Sequence, residues 1–294
     1  MQWKSNKLTD LKKQYREALK QFYEEREADT MLSLLIRSFF GLSRSDMALN
    51  PDYRLSESEM LKLHFAVKEL KNYKPVQYII KKTEFLNVTL KVNENVLIPR
   101  PETEEMVSMI IDREKQGNLR VLDIGTGSGC IAIALAKNLT SPEVWGIDIS
   151  DKALQLAAEN AKDNNVFVNF QKLDILQPPD NFFSGKFDVI VSNPPYVTEQ
   201  DKKLMQENVI RYEPHEALFV PGDDPLLFYR AILYFAGDHL KSGGRVYLEV
   251  NEQYGKEVAD LLSMQDYSQI ALFKDIHEKN RFVAGVKNKP RTRE

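Results

Sequence analysis

From Arg120 onward, short apolar runs alternate with stretches of helical period, and this alternation limits most strongly what the chain can fold into. A helix between two strands returns the chain to the starting edge of the sheet, so strands joined in this way lie parallel. The pattern predicts an α/β fold with a doubly wound sheet, whose last two strands, joined by a short loop, are antiparallel. The predicted strands are 121–124, 144–149, 166–170, 187–191, 244–250, 270–273 and 281–286, with helices at 131–138, 153–162, 225–240 and 254–262.

The first 74 residues have a different pattern, which is typical of a small helical bundle. A second apolar stretch, 31–40, ends at Gly41. Ser56 and Glu59 form a capping-box sequence, which predicts a helix running to about residue 70. One face of the first helix carries apolar side chains spaced three and four apart, namely Leu8, Leu11, Tyr15, Leu19 and Phe22.

The segment after Pro75 predicts a β-hairpin that links the bundle to the sheet domain. Residues 85–92 alternate and include β-branched side chains, so we expect a strand there, paired with 96–98 across a turn. Proline and acidic residues at 99–105 predict the start of a helix. The predicted divisions are a helical domain (1–74), a hairpin linker (75–100), a sheet domain (101–287) and a basic tail (288–294).

Charge and composition exclude several classes of protein. The chain has 294 residues, 40 basic and 43 acidic, and a net charge of −3, whereas a protein that binds duplex nucleic acid through its phosphates is usually basic. The first 74 residues carry a net +3 and the rest −6, and we expect no direct nucleic-acid partner and no membrane partner. No apolar run reaches membrane-spanning length and no secretory signal is evident, so we expect a cytoplasmic protein.

The single cysteine, Cys130, excludes an intramolecular disulfide and a cysteine-cluster metal site, and we predict no metal. It begins the helix after a glycine-rich turn, where a thiol can be activated. A small residue packing beneath the turn is the favoured interpretation.

The glycine-rich turn itself, Gly125-Thr126-Gly127-Ser128-Gly129, follows the first predicted strand. Glycine permits positive φ and close approach of a ligand to the backbone, and Asp148 ends the next strand, where a carboxylate meets ribose hydroxyls. The spacing is G-x-G-x-G and lacks a basic residue to neutralise a pyrophosphate. An adenosine with a short zwitterionic tail fits this turn better than a dinucleotide, and a purely structural turn is the alternative.

The tetrapeptide Asn193-Pro194-Pro195-Tyr196 follows the fourth predicted strand, at the carboxyl edge where doubly wound sheets bind ligands. An amide or exocyclic amine nitrogen is a poor nucleophile because its lone pair is delocalised. The side-chain oxygen of Asn193 and the carbonyl of Pro194 can accept its N–H hydrogens and turn that lone pair toward an electrophile. Tyr196 can stack on the planar group, and no general base is required. The alternative is a Pro-Pro strand stop.

Taken together, these segments resemble known methyltransferases. Asp123 with the glycine turn resembles motif I of S-adenosylmethionine-dependent enzymes, and 193–196 resembles the N-P-P-Y motif of enzymes that methylate planar nitrogens. The segments 75–79, 96–104, 123–134, 212–219 and 282–284, together with Phe85, resemble the HemK/PrmC family of peptide chain release factor N5-glutamine methyltransferases. The likeness is close over 75–286, whereas 1–74 matches only in length and helical character.

The resemblance implies a Rossmann-like class I methyltransferase sheet with an N-terminal helical bundle joined by a β-hairpin. It implies transfer of a methyl from S-adenosyl-L-methionine, leaving S-adenosyl-L-homocysteine, to the glutamine of the Gly-Gly-Gln loop of class-1 release factors, which modulates translation termination. The helical domain would contact the release factor. The implied catalytic residues are Asn193, Pro194, Pro195 and Tyr196, and the implied cofactor-binding residues are Gly125, Thr126, Gly127, Ser128, Gly129, Asp148, Asp174, Ile175 and Asn193.

Several points stay open at this stage. Asp174 matches the family's adenine-binding acid or is a turn residue. Arg100 pairs with a cofactor carboxylate or with Glu104, while Thr103 and Glu104 lie near the methionine end or only start a helix. His215 and Glu213 look like a metal or acid pair, and a place in the pocket wall or structural contacts are favoured for them.

The chain departs from the family near Lys81, Asn87 and Asn251 and at two prolines, Pro221 and Pro225. None of these departures touches the residues implied to transfer the methyl. The alternative functions are methylation of adenine N6 or an RNA base, and a non-catalytic binding protein on the same fold.

Overall fold

The computed structural model describes residues 5–180, 182–205 and 207–289, with the side chain of residue 204 left aside. These residues divide into two compact units. One unit holds the described residues as far as Lys82 together with 207–212, and the other holds the remaining described residues from Thr83 onward.

The elements fall in the order that the sequence predicts, with some additions. The helices are α1 (Leu8–Leu19), α2 (Glu25–Phe40), α3 (Arg44–Leu49), α4 (Glu57–Lys71), α5 (Val76–Ile80), α6 (Pro101–Arg113), α7 (Cys130–Asn138), α8 (Asp151–Asp163), α9 (Glu207–Tyr212), α10 (Leu227–His239) and α11 (Gly255–Met264). The strands are β1 (Lys82–Phe85), β2 (Val88–Lys91), β3 (Arg120–Ile124), β4 (Glu143–Asp148), β5 (Asn169–Lys172), β6 (Phe187–Ser192), β7 (Leu240–Glu249), β8 (Tyr267–Lys274) and β9 (Asn280–Lys287).

The first unit is helical, as predicted, and is built around its own apolar core. Leu19, Leu35 and Leu63, on α1, α2 and α4, are fully buried in it. The capping box of α4 is present, because Ser56 and Glu59 bond reciprocally. The structure adds α3, α5 and α9, and it starts α2 six residues before the apolar stretch, because polar residues form its first turns.

The second unit contains the predicted sheet. Its seven strands lie in the order β5-β4-β3-β6-β7-β9-β8. The pairs from β5 to β7 are parallel, whereas β9 pairs antiparallel with both β7 and β8. Buried apolar side chains lie on both faces of the sheet, as a doubly wound fold requires. The predicted fold class is therefore confirmed.

The hairpin differs from its prediction. Phe85 ends β1 and Val88 begins β2, so the turn lies at 86–87, where Leu86 has a φ of 47°. The expected partner, 96–98, is not a strand. The reason lies in the spacing, because Phe85 and Val88 are three residues apart and cannot share one face of a single strand. The alternation that predicted one strand in fact spans two.

The described part of the chain contains no helix that is both long enough and apolar enough to cross a membrane.

Candidate active site

The register of the sheet brings the predicted site segments to one edge. Ile124 at the end of β3 pairs with Ile147 of β4 and with Ser192 of β6. The residues that follow these three, Gly125, Asp148 and Asn193, therefore lie side by side at its carboxyl edge. The strand order reverses between β3 and β6, and such a switch point is where ligands bind in doubly wound sheets.

The glycine turn connects β3 to α7 with backbone conformations that suit glycine. The φ angles are 73° at Gly125, 53° at Gly127 and 81° at Gly129. A Cβ added to Gly125 or Gly127 would meet none of the described atoms within 4 Å, so the outer side of the turn is open to a ligand. A Cβ on Gly129 would lie 2.9 Å from Ile133 Cδ1 and 3.1 Å from Ala157 Cβ, so the inner side of the turn is crowded.

Asp123 supports the turn from below. Its Oδ2 accepts hydrogen bonds from Thr126 Oγ1 at 2.6 Å and from the Ala132 N–H at 3.3 Å. The carboxyl is fully buried, and burial raises its pKa to about 7. Its other oxygen, Oδ1, is buried without a hydrogen-bond partner among the described residues, so an acceptor is available at the base of the turn.

Asp148 ends β4 beside the turn. Its Oδ2 accepts from the Gly127 N–H and its Oδ1 from the Ser150 N–H, both at 2.9 Å. Burial raises the pKa of this carboxyl. Each carboxylate oxygen keeps a lone pair beyond the bond that it already accepts, and these lone pairs can take hydroxyl donors.

Asp174 and Ile175 lie just beyond β5. Asp174 Oδ1 accepts from the Leu176 N–H at 2.9 Å, which is the turn contact that the sequence left open for this residue. The Asp174 contact occupies one oxygen only. Ile175 is partly buried against the core on one face of the sheet.

Sequence reasoning missed Asn160, which ties the turn to the hairpin. Its side chain, fully buried on α8, accepts from the Lys91 N–H at 2.7 Å and donates to the carbonyls of Lys91 and Ser128. A buried asparagine that bonds three backbone groups holds strand β2 of the hairpin and the glycine turn at a fixed separation. No local pattern marks it, since both partner segments are distant in sequence.

Asn193 is held by a short chain of hydrogen bonds. Its Nδ2 donates to Thr103 Oγ1 at 3.2 Å, and Thr103 Oγ1 donates to Glu249 Oε2 at 2.6 Å. Thr103 lies in the first turn of α6, and Glu249 ends β7, whose Leu248 pairs with Ser192. Sequence analysis named Thr103 without a role and did not identify Glu249 as a site residue. An acid ending an apolar strand at the carboxyl edge is the signal for it.

Glu249 is almost wholly inaccessible, with 2% of its surface exposed. Burial raises the pKa of its carboxyl to about 7, against the opposing effect of the bond from Thr103. The neighbouring Tyr196 is partly buried, and burial raises the pKa of its phenol, which is therefore neutral. Pro194 is buried and Pro195 half-buried. Since the proline rings also restrict φ, the backbone of the tetrapeptide is held in place where it follows β6.

Arg100 has a partner that the sequence did not suggest. Its Nη2 lies 2.7 Å from Glu213 Oε1, rather than pairing with Glu104. Glu213 is buried and also accepts from the Ile98 N–H at 3.2 Å, so it fixes the segment leading into α6. Its contacts are structural, as favoured from the sequence. The ring of His215 packs edge-to-face against Phe219. Glu104 is a separate case, in which burial raises the pKa of the carboxyl.

Cys130 packs against the core beneath the turn, as expected. Burial raises the pKa of its thiol to about 12, so it stays protonated and is not an activated nucleophile.

The turn suits a cofactor made of a nucleoside with a cationic tail. It offers open space above Gly125 and Gly127, an unpaired buried acceptor on Asp123 and a second carboxylate on Asp148. Acidic acceptors with no basic residue in the turn fit ribose hydroxyls and a positive charge. The same set does not suit a pyrophosphate.

Comparison with known proteins agrees with this geometry. Residues 10–80 match the family model described as PrmC N-terminal domain, and residues 115–223 match one described as Methyltransferase domain. The chain is 44% identical over 274 residues to the release factor glutamine methyltransferase of Flavobacterium psychrophilum, covering 92% of this chain and 95% of that relative. It is 39% identical over 268 residues to that of Bacteroides thetaiotaomicron, covering 91% and 96%.

A solved methyltransferase from Pyrococcus furiosus has a similar fold, with a TM-score of 0.51, 18% identity, and coverage of 80% of this chain and 100% of that one. This likeness concerns the fold alone. The sequence relatives are matched over nearly their full length at well above 30% identity, so the family predicted from the motifs is confirmed. The chain belongs to the release factor glutamine methyltransferase family.

Proposed function

We propose that this protein transfers a methyl group from S-adenosyl-L-methionine to the side-chain amide nitrogen, N5, of the glutamine in the Gly-Gly-Gln loop of class-1 release factors. Its family membership supports the reaction. The orientation of the Asn193 side chain carries the proposal, because Nδ2 is engaged by Thr103 and Oδ1 is left to accept from a substrate.

The chain's own residues act by orienting a planar amide. Asn193 Oδ1 and the Pro194 carbonyl accept the two N–H hydrogens of the glutamine amide, which turns the nitrogen lone pair toward the glycine turn. The two prolines hold these acceptors in place before the substrate arrives. Tyr196, whose phenol is neutral, packs against the amide plane.

The cofactor is proposed to lie on the turn between β3 and α7. Asp148 would accept hydrogen bonds from its ribose hydroxyls, Asp174 and Ile175 would bind its adenine, and the backbone from Gly125 to Gly129 would bind its methionine part. When bound, it would supply an electrophilic sulfonium methyl for transfer to the amide nitrogen, with the displaced amide proton passing to water. Asn193 and Pro194 hold the nitrogen in line.

The helical unit is proposed to bind the release factor. Residues 1–74 carry a net +3, whereas the rest of the chain carries −6, so the two parts present surfaces of different charge. A release factor as substrate places the proposed activity in the cytoplasm and, through the modified loop, in translation termination.

A labelled-methyl assay tests the proposal. The protein is incubated with labelled S-adenosylmethionine and either a recombinant class-1 release factor or its variant with the loop glutamine changed to alanine. We expect label in the first substrate and none in the second. Equal labelling of both substrates would contradict the proposed target, and labelling of nucleic acid without labelling of the release factor would contradict the substrate class.

A further inference from the structure

The hydrogen-bond chain that ends on Asn193 passes through the hydroxyl of Thr103. The direction in which this hydroxyl donates its one hydrogen decides which way the Asn193 amide faces. Thr103 Oγ1 lies 2.6 Å from Glu249 Oε2 and 3.2 Å from Asn193 Nδ2. A hydroxyl has one hydrogen to donate and lone pairs to accept with. Whichever neighbour takes that hydrogen, the other must supply one.

When Glu249 is ionised, its carboxylate has no hydrogen, so the Thr103 hydroxyl donates to it. The lone pairs of Thr103 then accept only from an N–H, and Asn193 must present Nδ2 to Thr103. Its Oδ1 faces the opposite way, free to accept from a substrate amide. When Glu249 is protonated, it can donate to Thr103, which can then donate to Asn193 Oδ1. That arrangement favours the reversed amide.

We propose, on the basis of the function proposed above, that Thr103 and Glu249 are positioning residues that hold the Asn193 amide with Oδ1 toward the substrate glutamine. Neither side chain touches the reacting atoms in this account. Each acts through Asn193.

The surroundings of Glu249 bear on its ionisation. The positive charges of Arg281, on β9, and Arg100, before α6, favour the ionised carboxylate, and Glu102 of α6 disfavours it. Burial, with the pKa raised to about 7, leaves both forms accessible near neutral pH. The other titratable groups near it are neutral, because burial raises the pKa of each, namely Tyr196, Tyr229 and Cys130.

The backbone of Glu249 is held separately from its side chain. Tyr229 Oη, on α10, donates to the Glu249 carbonyl at 3.1 Å. This bond does not involve the carboxyl, so it stays in place when the Glu249 side chain is changed and keeps the end of β7 anchored. Variants of this side chain therefore test the hydrogen-bond chain and not the position of the strand.

Kinetics of four variants test the proposal at about pH 8. Thr103→Val removes the hydroxyl at constant shape, so we expect kcat to fall by about 10- to 100-fold, with the affinity for S-adenosylmethionine and KM for the release factor unchanged. Thr103→Ser keeps the hydroxyl and should retain most of kcat. Glu249→Gln can donate to Thr103 through its amide, as protonated Glu249 does, so it should show the reduced kcat of the low-pH form. Glu249→Leu should resemble Thr103→Val.

The pH profile is a readout that a merely structural role would not move. The active form needs ionised Glu249, so kcat of the wild type should rise with pH through the pKa of Glu249, near 7. Glu249→Gln should lack that rise. Wild-type kcat in Thr103→Val, or an unchanged pH profile in Glu249→Gln, would overturn the proposal.

Nuclear magnetic resonance of the Asn193 side-chain amide separates this inference from the function on which it rests. The signals are assigned by their loss in Asn193→Asp, and we expect them to shift between about pH 8 and about pH 6 in the wild type but not in Glu249→Gln. Signals that do not respond to pH in the wild type would overturn the inference whatever the activity. A wild type that methylates no release factor at any pH would overturn the proposed function, and this titration would still decide the orientation of Asn193.

Discussion

Three carboxyls at one sheet edge differ in behaviour because their neighbours differ. One oxygen of Asp123 accepts hydrogen bonds from a hydroxyl and from a backbone N–H, and this carboxyl supports the glycine turn from inside. Asp148 accepts two backbone N–H groups, one on each oxygen, and borders the open side of the turn. Glu249 accepts one hydrogen bond, from the Thr103 hydroxyl, and is linked through that hydroxyl to Asn193. Similar chemical groups thereby have one observed role, in the geometry of the turn, and two proposed roles, in cofactor binding and substrate orientation.

The proposed division between cofactor and substrate residues can be tested with two alanine variants. Asp148→Ala should weaken S-adenosylmethionine binding by about 10- to 100-fold, because the net loss is that of one hydrogen bond to a charged acceptor, about 1.5–3 kcal/mol. Asn193→Ala should lower kcat with cofactor affinity nearly intact. Calorimetric titration measures the first effect and steady-state kinetics the second. Equal loss of cofactor affinity in both variants would contradict the division.

At the residue scale, the sequence predicts those site residues that lie within local motifs. Asn193 and Asp148 could be named because each sits in a recognisable pattern at the end of a strand. Glu249 and Asn160 could not, since their partners are brought to them by strand pairing and helix packing rather than by neighbours in sequence. Arg100 shows the same limit, because its partner Glu213 is 113 residues away.

At the element scale, the turn between β3 and α7 combines an outer side for the ligand with an inner side for packing. Gly129 belongs to the inner side, where a Cβ would lie 2.9 Å from Ile133 and 3.1 Å from Ala157. Gly125 belongs to the outer side, where a Cβ would meet none of the described atoms within 4 Å.

Alanine at these two glycines should therefore have different effects. Gly129→Ala combines strain at positive φ with crowding and should lower the free energy of unfolding by about 2–4 kcal/mol. Gly125→Ala meets the strain alone, about 1–2 kcal/mol, and should lose cofactor affinity because its methyl enters the ligand's space. Urea unfolding and calorimetry measure these effects. A Gly125→Ala variant less stable than Gly129→Ala would show that the sides are assigned wrongly.

Elements with a regular hydrophobic period were predicted well, and those without one were not. The parallel strands and their helices follow the alternation of the sequence, with ends displaced by a few residues. The hairpin was placed in the right segment but with the wrong pairing, because alternation alone did not reveal the turn at Leu86. The short helices α3, α5 and α9 span only one or two turns, too few for a period to be recognised.

At the scale of the whole molecule, buried carboxyls make stability depend on pH. The pKa of Asp123 is raised from 3.8 to about 7 in the folded protein, so the folded state binds its proton more tightly than the unfolded state. The stabilisation from this group is present at low pH and is lost as pH rises from about 4 to about 7. The unfolding free energy should therefore decline across that window.

Asp123→Asn isolates this effect, because asparagine keeps an acceptor for Thr126 and cannot titrate. We expect the decline in unfolding free energy between about pH 5 and about pH 7.5 to be smaller in the variant than in the wild type. Urea unfolding without cofactor measures both slopes, and the contribution of Glu249, which is present in both proteins, cancels in the comparison. Identical slopes would show that Asp123 does not titrate in this range.

The central claim is that this sheet edge orients one glutamine amide for methylation, and peptide mass spectrometry tests it most directly. A class-1 release factor is incubated with the protein and S-adenosylmethionine, digested, and its loop peptide is fragmented. We expect a mass increase of one methyl group located on the side chain of the Gly-Gly-Gln glutamine, and much less methylation in the same time when Asn193→Ala replaces the wild type. A methyl on any other residue, or no methyl from a protein that binds the cofactor, would contradict the account.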